Sequence, residues 1–213
     1  ALMLYVTALV VVFVVGSVWL IRTVGRERLA IQPAYRTGEW MRTALPLVLG
    51  NLSKLVLGRT DVLMLGWFAT MNDVGVYGVG NRIAMLVPLG MHAANLVAAP
   101  RLSRAHVAGD DRGFDSVLRS VALWSSVAAL PVLLVAWLLP GLVLSWFGSG
   151  YEDGTTLLRI LSAGQFVNAA SGAVGYGLIM SGRERHYARV VASAAAFNVV
   201  GNAVAIPLLG AIG

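Results

Sequence analysis

Five ionisable residues stand inside otherwise apolar stretches of this 213-residue chain: Lys54, Arg59 and Asp61 in one stretch, Arg82 in the next and Arg159 in a later one. An Arg or Lys at the centre of a membrane helix costs about 2.5–3.5 kcal/mol on insertion scales. Four bases against one acid must therefore face a polar interior, find partners, or reach toward an interface. Lys54 falls near the middle of its stretch, and Arg82 roughly 8 Å outward of the middle of its own at 1.5 Å per residue. Arg159 is only about one turn from an outer edge, where a long side chain snorkels. The expected chemistry is a hydrated hollow with surplus positive charge, lined by Lys54 and Arg82, because structural ion pairing of four bases needs more acids than Asp61 supplies.

Spacing groups these residues with amides. Asn51, Lys54, Gly58 and Asp61 recur at i, i+3, i+7 and i+10, one stripe of a helix. Arg59 falls off that stripe and addresses another surface. Asn81, Pro88, His92 and Asn95 form a second stripe with Arg82 beside it. Gln165 and Asn168 lie at mid-depth of a later stretch, and Asn198 and Asn202 make an i, i+4 pair, read as interhelical glue. Asp61 is expected to be neutralised by Lys54 and Arg59, the alternative being a carboxylate that couples an ion. His92 is expected to be a hydrogen-bonded packing residue, the alternative being a proton relay.

The elements that must position these groups follow from composition. Hydrophobic residues make up 58% of the chain and charged residues 12%, with 24 Gly, 7 Pro and no Cys. Soluble domains carry about 25% charged residues, so an ordinary cytosolic enzyme is excluded, as are disulfides and thiolate metal sites. Runs of roughly 20 apolar residues suit a bilayer core, and six are found: 2–21, 43–68, 75–100, 117–139, 156–181 and 190–209. The intervening segments alternate in charge. Those at 22–42, 101–116 and 182–189 hold clustered arginines, and those between 69 and 74 and between 140 and 155 hold only acids. Short cytoplasmic loops collect Lys and Arg, so the basic segments face inward and the chain is an all-α, multi-pass bundle of about six spans. The net charge of +6 thus belongs to membrane topology, and no nucleic-acid partner is expected. The 22–42 segment, with Arg22, Arg26, Arg28 and the turn residue Pro33, reads as an inside loop held by anionic headgroups or a linker between helical lobes. The start at Ala1 lacks the marks of a signal peptide, and the sequence reads as a piece of a longer protein.

Glycine and proline mark where helices approach or bend. Pro46 is expected in the first turn of its span, Pro88 and Pro131 at mid-span kinks. Gly75, Gly78, Gly80, Gly172, Gly175 and Gly177 permit close packing. No Ser-His-Asp set, zinc motif or phosphate-binding glycine loop occurs, so no catalytic residue, metal or cofactor is expected.

An ordered series of short motifs resembles the O-antigen-type oligosaccharide flippases of the multidrug/oligosaccharidyl-lipid/polysaccharide exporter superfamily. It runs from Arg59-Thr60-Asp61 to Gly66, through Asp73-Val74-Gly75-Val76-Tyr77 and Asn81-Arg82-Ile83-Ala84. Ala99-Pro100, Phe147-Gly148-Ser149-Gly150-Tyr151, the stretch from Leu161 to Asn168, and Gly182-Arg183-Glu184-Arg185 continue it, so that residues 40–210 are covered. The resemblance implies a two-lobe transporter of the inner (plasma) membrane. Residues 1–21 resemble the last helix of the first lobe, 22–42 the cytoplasmic lobe linker, and 43–213 an incomplete second lobe, the rest of the first lobe being a partner outside this sequence.

It also implies a substrate: a lipid-linked oligosaccharide whose phosphate or pyrophosphate is anionic, carried from the cytoplasmic to the outer leaflet by alternating access. On that reading Lys54 and Arg82 attract the phosphate and Arg59 assists, while Asn51, Asn81, Gln165 and Asn168 meet sugar hydroxyls. Proton or sodium coupling, or the membrane potential itself, would drive the cycle, with Asp61 and His92 the candidate coupling residues. The rivals are a multidrug cation antiporter of the same superfamily, a peptidoglycan-precursor flippase, and a non-transporting scaffold.

Overall fold

In a computed structural model, residues 2–24, 35–148 and 150–209 are described. Arg26, Arg28 and Pro33 of the expected linker, and Ser149, lie outside these residues. The described residues are helical, with no strand among them. The chain divides into two compact units, Ala1–Trp40 and Met41–Gly213. The first contains α1 (Leu2–Val24), whose large apolar side chains between Val6 and Ile21 are exposed, as suits a helix bathed in lipid or covered by other helices.

α2 (Thr37–Phe68) begins at the end of the first unit and continues into the second. The second unit adds α3 (Met71–Ala84), α4 (Leu89–Val107), α5 (Asp111–Leu138), the short α6 (Pro140–Ser145), a 3-10 turn at Glu152–Gly154, α7 (Thr155–Ala170), α8 (Val174–Met180) and α9 (Glu184–Leu209). α1, α5 and α9 are long and apolar enough to cross a membrane, and α3 with α4, bent by 48°, makes a fourth crossing if taken as one span. The remaining two expected spans are helical too, but α2 carries Lys54, Arg59 and Asp61, and α7–α8 is broken at residues 171–173.

Helices run further than hydropathy suggests. Arg101 and Arg104 belong to α4, Arg112 to α5, and Arg185 and Arg189 to α9, so the basic segments are mostly helix ends around tight turns. One such turn has Gly109 at φ 67°. Polar caps define these ends. Thr70 and Asp73 form a reciprocal capping box on α3, and Asp110 accepts the Gly113 N–H at 2.9 Å on α5. Pro88 ends the turn that separates α3 from α4, the expected break. Pro131, by contrast, sits within an unbroken α5, and Pro46 lies nine residues into α2 rather than in its first turn, because α2 starts earlier than its apolar run.

The core is a stack built from α3, α4, α5 and α7, with α6, α8 and the ends of α2 and α9 at its margins. Four buried clusters follow one another along it, centred on Leu65, Val76, Tyr77, Leu157 and Ile206, then Ile83, Ala136, Leu144 and Leu158, then Val87, Met91, Ala129 and Ala169, then Ala98, Leu102, Val121 and Ala173. Alanine recurs in the last three, which lets helix backbones close on one another where lipid offers no hydrophobic drive. At Gly172, with φ 62°, the break between α7 and α8 lies directly against the Ala122 backbone of α5.

Candidate functional site

α2 and α9 run side by side and in the same direction. Gly50 meets the Tyr187 ring so closely that a Cβ would come within 2.6 Å of it. Farther along, Asp61 is bonded to Asn198 and Asn202, and at the far end Leu65 shares a cluster with Ile206. The pairing brings the i, i+4 amides of α9 onto one face, opposite the only acid of the α2 apolar run.

The half-buried Asp61 carboxylate is the polar centre of this pair. Its Oδ2 accepts the Tyr77 hydroxyl at 2.8 Å, and its Oδ1 accepts the Asn198 and Asn202 amides at 3.1 and 2.5 Å. Three neutral donors from α3 and α9 therefore hold one carboxylate. No group of three or more His, Cys, Asp or Glu occurs among the described residues.

This arrangement corrects the expectation that Lys54 and Arg59 neutralise Asp61. The ion pair found among the described residues is Arg36–Glu39, at 3.5 Å. Arg59 is two residues from Asp61 and so projects from a different side of α2. Lys54 lies seven residues earlier, and its ammonium stands 5.3 Å from the centroid of the Tyr187 ring, consistent with helical side chains leaning toward the N-terminus. Asn198 and Asn202 are the interhelical glue expected of them, with the Asp61 carboxylate of α2 as their shared acceptor. Tyr77 is the site residue that spacing alone does not mark; its signal in the sequence is a phenol one helix away from a lone membrane acid.

Other expected partners are separate. Asn51, Lys54, Arg59, Arg82, His92 and Asn168 are exposed, and Asn81 and Gln165 are half-buried. Gln165 and Asn168 meet, the Asn168 amide donating to Gln165 Oε1 at 3.3 Å. No hydrogen bond or ion pair among the described residues joins Lys54, Arg59 and Arg82 to one another or to Asn51 and Asn81. The second stripe is broken, because the turn at Met85–Pro88 resets the helical register. Asn95 is 4% exposed on the packed face of α4, while His92 is exposed. Asn95 Oδ1 and Ser125 Oγ are buried without protein partners.

Arg159, expected to snorkel, docks on the end of α5. Its Nε donates to the Trp137 carbonyl at 3.1 Å while the Trp137 indole donates to the Arg159 carbonyl at the same distance. A guanidinium on the last carbonyls of a helix meets both their unpaired lone pairs and the negative end of the helix dipole.

Residues 46–204 match the profile of the MatE family. Neither a curated protein nor a solved structure matches the chain.

Proposed function

Because the chain belongs to the MatE family of multi-pass membrane transporters, we propose that its cargo is a lipid-linked anionic oligosaccharide, moved from the cytoplasmic to the outer leaflet of the plasma membrane by alternating access. The observation that carries this reading is the separation of Asp61 from the bases. Its carboxylate is occupied by Tyr77, Asn198 and Asn202, which leaves Lys54, Arg59 and Arg82 as surplus cations on exposed helix surfaces. A phosphate or pyrophosphate supplies the missing negative charge, and guanidinium groups bind it through paired hydrogen bonds. Asn51, Asn81 and the joined Gln165–Asn168 pair offer donors and acceptors to sugar hydroxyls. The first lobe completes the cavity, and the basic segments at 22–42, 101–116 and 182–189 face the cytoplasm.

Asp61 serves as the coupling site in this scheme. A carboxylate held by neutral donors can exchange its proton or take up an alkali ion without first leaving a lysine or arginine, and His92 stands exposed as a second candidate. The same cluster favours one rival, a multidrug antiporter that exchanges a cation through Asp61. A peptidoglycan-precursor flippase shares the phosphate chemistry and differs in cargo alone.

Replacement in the intact protein separates these readings. Arg82→Ala should abolish glycan export in a complementation assay at unchanged protein level. Unaffected export removes Arg82 from the substrate path, and calorimetric binding of a lipophilic drug cation by the intact protein favours the antiporter.

A further inference from the structure

Two concavities lie one above the other on the α2–α9 pair. Where both helices begin, a cleft of about 310 Å³ is lined by Arg42 of α2 and by Arg183, Glu184, Arg185, His186 and Arg189 of the turn into α9. Farther along the same pair, a groove of about 420 Å³ runs between Leu49, Leu52 and Val56 on α2 and Val199 and Val200 on α9. Arg42 to Leu49, and Arg189 to Ala195, are each about 10 Å of helix. A charged recess is therefore followed along the same two helices by an apolar furrow, at the spacing of a lipid head and the start of its chain.

The chemistry of each part is specific. Four guanidinium groups against one carboxylate leave the cleft at +3 with His186 neutral, and the ion pair found among the described residues is elsewhere, at Arg36–Glu39. The turn that presents Arg183 is fixed by Gly182 at φ 69° and by the Arg183 N–H donating to the Leu178 carbonyl at 2.8 Å. In the furrow the one hydroxyl, that of Ser53, is already spent on the Leu49 carbonyl at 2.8 Å, so the wall offers a chain only apolar contact. A single phosphodiester would leave most of the positive charge unmatched. Two phosphates offset two of the three surplus charges, and basic recesses between membrane helices on the cytoplasmic side suit such headgroups.

We propose that α2 and α9 seat one phospholipid of diphosphatidylglycerol type, its two phosphates in the Arg42–Arg183–Arg185–Arg189 cleft and one acyl chain along Leu52, Val56 and Val199. This lipid is distinct from the cargo. It ties together two helices that otherwise meet at Gly50–Tyr187, the Asp61 network and Leu65–Ile206.

Native mass spectrometry of the intact protein in detergent tests the assignment, with diphosphatidylglycerol, phosphatidylcholine and a polyprenyl diphosphate offered at equal concentration. The protein should retain diphosphatidylglycerol about tenfold over phosphatidylcholine, and Arg183→Gln with Arg189→Gln should remove most of that preference. Leu52→Trp, which fills the furrow and leaves the arginines, should also lower retention. Arg42→Gln alone should lower it a few-fold and serves if the double variant does not fold. Equal retention of phosphatidylcholine, or full retention by all the variants, overturns the proposal. So does displacement of diphosphatidylglycerol by the polyprenyl diphosphate, which would assign the seat to an isoprenoid carrier. None of these outcomes depends on glycan export, so failure here leaves the cargo reading standing.

Discussion

The α3–α4–α5–α7 stack and the α2–α9 pair are built on opposite principles. In the stack, alanine and glycine bring backbones into contact and the buried clusters are almost wholly apolar. In the pair, a glycine–tyrosine contact, a carboxylate with three neutral donors and one apolar cluster hold two long helices whose outer faces remain open. The first arrangement resists displacement, because dense packing has few alternative solutions. The second concentrates its adhesion in directional polar bonds that can be made and broken, and it carries the Lys54 and Arg59 charges as well. The Asp61 carboxylate, Lys54 and Arg59 thus sit on the openly held pair, while Arg82, Asn81, Gln165 and Asn168 are carried by helices of the stack.

The sharpest way to break this contrast is at a backbone contact of the stack. At Gly172, φ is 62° and a Cβ would fall 2.8 Å from Ala122 N and Cα. Gly172→Val should cost about 3 kcal/mol or more, from backbone strain and overpacking together, read as a large drop in melting temperature in detergent. Gly58 on α2 has open space around the same position. Gly58→Ala should be neutral or stabilise by about 0.5–1 kcal/mol, since only helix propensity changes. Equal losses at both positions would erase the distinction between the two regions.

Next in size is the carboxylate. Asp61→Ala leaves the Tyr77 hydroxyl and two half-buried amides without their acceptor, a loss of about 1–3 kcal/mol. Asp61→Asn keeps shape and one acceptor oxygen, so its melting temperature should lie closer to that of the unaltered protein while glycan export is still lost. Export retained by Asp61→Asn would make the cluster a structural clamp and shift coupling to His92 or to the membrane potential alone.

How much of this was readable in advance depends on how local the cause is. Composition and charge alternation identify an all-α membrane bundle, because hydropathy and loop charge act residue by residue. The break at Pro88 follows from a missing N–H, equally local. The Asp61 network does not, since it depends on α9 lying alongside α2, 137 residues away in sequence, and on a phenol from α3. The expected pairing with Lys54 and Arg59 rested on nearness along the chain, whereas helical geometry turns Arg59 to another side of α2 and Lys54, two turns before Asp61 on the same stripe, stands over Tyr187. Asn95 was misplaced for a related reason: a stripe drawn across residues 81–95 assumes one continuous helix, and the turn before Leu89 rotates everything after it.

The smallest expected effect bears on the surplus charge itself. Lys54 stands over Tyr187 at 5.3 Å, and an exposed cation–π contact contributes about 0.5–1 kcal/mol. If that contact is the only duty of Lys54, then Lys54→Met and Tyr187→Leu should affect export alike, because each removes the same interaction. If Lys54 instead addresses the cargo phosphate, Lys54→Met should reduce export far more than Tyr187→Leu. A double-mutant cycle on thermal stability should still return a coupling within that range. Tyr187→Leu also relaxes the crowding at Gly50, so the cycle needs Tyr187→Phe as a reference that keeps the ring. Coupling at or below 1 kcal/mol together with a strong export defect in Lys54→Met alone would place the lysine's charge with the moving cargo, and the ring beneath it with the fold.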